Sequence, residues 1–106
     1  ARDFHKSMCT ALEVSRARQG KDTEAHHYSN ETRMLYKILL GMDAKLWMTV
    51  NGVTGELRKH LSADQLECLA YLERTNTTFL EMDMDFQQRK EKLTALFARH
   101  LLEIAA

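Results

Sequence analysis

The sequence contains no proline, so nothing in it forces a helix to break apart from glycine and capping chemistry. Glycine is itself scarce, 4 residues in 106. Gly52 and Gly55 read as turn glycines, and no glycine-rich phosphate loop is present. Only 2 cysteines occur. Cys9 and Cys68 sit far apart at helical, partly apolar positions, which reads as buried thiols in a reducing compartment. Neither sign of charge is in excess, with 15 basic against 15 acidic residues. That balance disfavours a nucleic-acid binder relying on net positive charge and leaves only local basic patches. No run approaches the ~18–20 apolar residues of a membrane span, and no signal-peptide core is present. The expectation is a cytoplasmic protein that makes no use of a membrane. An initiating Met is also lacking: Ala1-Arg2-Asp3-Phe4 is already in helical pattern. The chain therefore reads as the C-terminal fragment of a longer polypeptide, residues 1–106 forming one domain.

What is present is helical period throughout. The clearest stretch runs from Ser62 to Ala106 as two amphipathic helices joined by a tight polar turn. Ser62-Ala63-Asp64-Gln65 has the capping-box pattern. Behind it Leu66, Leu69, Leu72, Phe79 and Leu80 fall on one stripe, which also carries Asn76. Asp85-Phe86-Gln87-Gln88 is a second cap, followed by a stripe of Phe86, Leu93, Leu96, Phe97, Leu101 and Ile104. Two such stripes joined by a short link predict an antiparallel pair.

Upstream, Arg2 to Gln19 reads as a first helix with Phe4, Met8, Ala11, Leu12 and Ser15 on one face, stopped by Gly20. Lys21 to His27 reads as a loop. Ser29 or Asn30 is expected to cap a second helix, with Glu31 in its first turn where a negative charge suits the helix dipole. Met34, Leu35, Ile38 and Leu39 give that helix its apolar face, and Gly41 closes it. Asp43 to Val50 reads as a third helix and Asn51-Gly52 as a turn. Thr54 to Leu61 reads as a short fourth helix with Leu57 and Leu61 inward. The fold class is therefore all-α, about six helices, with the long C-terminal hairpin packed on shorter helices. The expected core is Phe4, Met8, Leu12, Leu35, Ile38, Leu39, Leu46, Trp47, Leu57, Leu61, Leu66, Leu69, Leu72, Phe79, Phe86, Leu93, Phe97 and Leu101.

Few residues suggest chemistry. His26-His27 lack the spaced pairs of a zinc site, and a capping or packing role suits one of them better. Cys9 has no activating motif, and its pairing with a remote histidine is one that any chain with 5 histidines would offer. Asp83, Asp85 and Glu81 suit a turn and a cap. No catalytic residue, metal or cofactor is expected. Residues 43–61 have the rough length of a helix-turn-helix. Arg58, Lys59 and His60 would then be the basic face of its second helix, the alternative being a sequence-specific DNA-binding module. Asn76 either fixes register or oligomer state at a helix seam, bonds a backbone carbonyl, or faces a gap. Phe79, Met82, Met84 and Phe86 cluster about the last turn, as core or as an adaptable partner surface. With Asn76 they are the candidate protein-interaction residues.

The run His27-Tyr28-Ser29-Asn30-Glu31, then Leu35, Ile38, Leu39-Leu40-Gly41-Met42 and Ala44-Lys45-Leu46-Trp47, bears on family. So do Leu57-Arg58, Leu66, Leu72-Glu73-Arg74, Asn76, Asp85-Phe86 and Arg89-Lys90. Together they resemble the helical C-terminal region of phage and prophage regulators of the antirepressor kind, often fused to an N-terminal KilA- or BRO-type DNA-binding domain. The resemblance implies a regulator in a bacterial host that binds a repressor protein or assembles with itself, with any DNA contact made by a domain outside this sequence. It also implies that Tyr28, Asn30 and Glu31 form the capped joint docking the second helix, and that Arg89-Lys90 begin the last one.

Overall fold

The computed structural model describes residues 3–105. Five α-helices follow one another: α1 (Phe4–Arg18), α2 (Ala25–Leu40), α3 (Ala44–Val50), α4 (Ala63–Glu81) and α5 (Phe86–Ala105). A single 3₁₀ turn, Leu57–His60, precedes α4. The described residues contain no strand, and none of their helices is long and apolar enough to cross a membrane.

Local chemistry accounts for the ends of these helices. Asp3 caps α1 by accepting from the Lys6 N–H at 3.0 Å. Asp43 caps α3 through the Lys45 N–H. Both expected boxes close reciprocally, Ser62 with Gln65 and Asp85 with Gln88. Gly41 ends α2 at φ +74°, a conformation that costs a side chain but not glycine.

Two boundaries differ from expectation. Neither Ser29 nor Asn30 caps α2, which starts earlier, at Ala25, behind Glu24. His27 supplies the third-residue acceptor, its Nδ1 receiving the Glu24 N–H at 2.9 Å. Ser29 instead donates back to the Ala25 carbonyl, the use of a hydroxyl inside a helix. The second difference is residues 54–61, which form one 3₁₀ turn and not a helix. Gly55 sits at φ +91°, outside helical space, and His60 Nε2 lies 2.6 Å from the Thr54 carbonyl oxygen. The second helix of a helix-turn-helix is therefore not formed, although Leu57 and Leu61 are buried as expected.

Registers across the helices follow from side-chain pairs. His5 meets Glu73, Met8 meets Asn76 and Ser15 meets Asp83, each pair 68 residues apart. A constant interval means that α1 and α4 run parallel. The turn at residues 82–85 sends α5 back antiparallel to α4, so Asn76 meets Arg89 and Tyr71 stacks on His100. Glu31 pairs with Arg89, and Leu39 shares a cavity wall with Phe97, so α2 and α5 also run parallel. Met8, Leu12, Leu35, Leu69, Leu72, Leu80 and Leu93 fill the space between these four helices.

Four residues expected in the core stand exposed: Leu46, Leu66, Phe86 and Leu101. Leu46 lies on α3, which has no buried residue. Leu66 lies in the first turn of α4. Phe86 and Leu101 lie on α5 where it borders open grooves. Phe4, Ile38, Leu39, Trp47 and Phe79 are partly buried, while Met34, Leu80, Ala11 and Cys68 complete the interior.

A basic-rimmed groove between two helices

A groove of about 770 Å³ runs between α2 and α5. Its floor is apolar, made by Met34, Ile38 and Leu39 from α2 and by Phe86, Phe97, Ala98 and Leu101 from α5. Because successive residues on one helix face recur every three or four positions, both walls repeat with helical period. Arg33 and Lys37 line one wall and Lys90 the other, and no carboxylate lines the groove. All three cations are exposed, and none makes an ion pair with a described residue.

The two helices are held in register below the groove by a buried polar cluster. Arg89 donates through Nη1 and Nη2 to both carboxylate oxygens of Glu31, through Nη1 also to Asn76 Oδ1, and through Nε to the Met84 carbonyl. Asn76 Nδ2 donates to Glu31 Oε1 at 3.0 Å and reaches the Met8 sulfur at 3.3 Å. Glu31 and Arg89 side chains are about 95% buried, yet no buried side-chain polar atom among the described residues lacks a partner. A buried pair of this kind holds only when its remaining lone pairs and protons are satisfied, and here they are. Glu31 is therefore not a dipole-serving residue of the first turn. It lies seven residues into the core face of α2, opposite a charge from the last helix.

The residues that carried the resemblance divide accordingly. Glu31 and Arg89 are buried, Asn30 and Lys90 line the groove, and Tyr28 donates to Glu13 at 2.8 Å, tying α2 to α1.

The five candidate interaction residues do not form one surface. Asn76 is 0% exposed, and its amide is fully used within the chain. Phe79 packs against the core. Met84 lines a smaller cavity beside the buried ion pair. Met82 is 64% exposed at the turn, and Phe86 alone enters the groove.

The candidate DNA-reading residues are engaged within the chain. Arg58 Nη2 lies 2.5 Å from the buried Glu73 carboxylate, Lys59 pairs with Glu56, and His60 bonds Thr54. Sequence reasoning missed the groove because its three cations come from positions 33, 37 and 90. The available signal was Arg33 and Lys37 at i, i+4 beside Met34 and Ile38.

One arrangement resembles catalytic machinery. His5 sits between Cys9 and Glu73, with Nε2 3.7 Å from the thiol and Nδ1 3.2 Å from the carboxylate. Burial, with Glu13, Glu73, Asp3 and Glu31 adding to it, pushes the Cys9 thiol up. A thiol so held stays protonated at neutral pH and is a poor nucleophile. Among the described residues no three His, Cys, Asp or Glu side chains come together as metal ligands would. Compared with protein-family models, curated proteins and solved structures, the chain matches none.

Proposed function

We propose that this chain is a non-enzymatic interaction domain of regulatory, antirepressor-like type, acting in a bacterial cytoplasm by protein contact. The observation that carries the reading is the groove between α2 and α5. Its apolar floor opens to solvent at Phe86 and Leu101, and its rim charges are exposed and without ion-pair partners among the described residues. Exposed apolar area bordered by polar residues is the usual mark of a contact surface.

The partner in this reading is a repressor protein, which the contact removes from its operator. Self-assembly is a second route, supported by Leu102 and Ile104. Both are exposed near the end of α5, where that helix has run past the end of α2. The test is co-expression with the repressor encoded nearest to this gene, that repressor's operator driving a reporter. Release of the silenced reporter, with the two proteins co-purifying in fixed ratio, is expected. A reporter that stays silent while both proteins are soluble contradicts the reading.

A further inference from the structure

Resting on that contact reading, we infer that the α2–α5 groove receives an acidic amphipathic helix from the partner protein. Its apolar residues would lie on Ile38, Phe86 and Leu101, above the buried Met34 and Phe97, and its flanking carboxylates would meet Arg33, Lys37 and Lys90.

Length supports a helix. The wall on α2 runs from Asn30 to Leu39 and that on α5 from Phe86 to Leu101. At 1.5 Å per residue these are ~14 and ~22 Å, roughly two and a half to four helical turns. Two parallel helices side by side leave a furrow whose ridges repeat every three or four residues. A third helix fills such a furrow by the same ridge-and-groove packing that holds the first two together. A small ligand fits less well, because small-molecule sites bury most of the ligand surface. Phe86 and Leu101 stay 40% and 46% exposed along this furrow.

Charge selects the sign of the occupant. The chain is neutral as a whole, so three uncompensated cations along one groove are a local feature. A second copy docking groove to groove would bring six cations into one interface. Like charges across an interface are strongly unfavourable, and opposite charges steer the encounter. An acidic helix satisfies both the apolar floor and the rim.

The test uses the intact chain and a synthetic probe. The probe is a fluorescein-labelled peptide of about 15 residues, with leucines on one helical face and glutamates flanking them. A scrambled peptide of the same composition, a lysine-for-glutamate version and sodium dodecanoate serve as comparisons. Binding is read by anisotropy and located by amide chemical shifts. The acidic helix should bind, shift the amides of α2 and α5 along the groove, and weaken as salt is raised. In the double variant Lys37→Glu, Lys90→Glu, affinity should fall about tenfold or more, and preference should turn to the lysine peptide. Both positions are exposed, so an unchanged thermal melt shows that the variant is folded. Equal binding of the scrambled peptide, shifts outside the groove, occupation by dodecanoate but not peptide, or groove shifts on concentrating the chain alone would each overturn the inference. A chain that binds no peptide yet releases the repressor-silenced reporter loses this inference and keeps the contact reading. Groove binding without reporter release does the reverse.

Discussion

Glu31, Asn76 and Arg89 place two opposite charges and an amide where four helices meet. Removing one member strands the others. Arg89→Met leaves an unpaired buried carboxylate and should lower unfolding free energy by about 3–5 kcal/mol, read by urea denaturation. The triple change Glu31→Met, Asn76→Leu, Arg89→Met removes the whole polar cluster and should recover most of that loss, since well-packed apolar replacements for buried pairs are often neutral or better. Two surface residues contribute to the response to pH. Burial first, then Arg16 and His26, hold His27 below its ordinary 6.5. The folded chain then binds fewer protons than the unfolded one, so the stability His27 contributes is complete above 6.5 and declines as pH falls below it. Asp83 is held below its ordinary 3.8 by hydrogen bonds, first from Arg18 and then from Ser15. Its contribution is present above 3.8 and is lost as pH falls through the lower folded value. In thermal melts across pH, His27→Gln should flatten the slope just below 6.5, and Asp83→Asn the slope below 3.8.

At the scale of elements, capping sets the ends and period sets the faces. Ser62→Ala removes the acceptor for the Gln65 N–H and should cost about 1 kcal/mol in a thermal or urea melt. Gly41→Ala should cost a similar amount, about 1 kcal/mol, because the residue at that helix end is left-handed. The caps at Asp43, Ser62 and Asp85 were legible because a cap needs only residues within three positions of one another. The start of α2 was not. Glu24 and His27 are a less usual box than serine or asparagine, and the Ser29-Asn30 pair offered a competing signal. Residues 54–61 carried helical spacing in Leu57 and Leu61, but Gly55 favoured a positive φ. Eight residues without a cap give too little propagation to overcome the cost of nucleation.

For the whole molecule, α5 runs past the end of α2. Leu102 and Ile104 then form an apolar end that should associate with a second copy as concentration rises. Light scattering after size exclusion, over about a tenfold concentration range, should show a mass above the monomer, and Leu102→Asp with Ile104→Asp should return it to the monomer. By itself the sequence determined that the chain is helical, where most helices stop, and that the last two form a hairpin, because period, caps and short links act over a few residues. Only the tertiary structure decided that Asn76 turns inward to a charge pair, that Arg58 is drawn to Glu73, and that Arg33, Lys37 and Lys90 border one groove. Those outcomes depend on how helices far apart in sequence lie against one another, and a periodic pattern names the face a helix buries without naming the face that meets it.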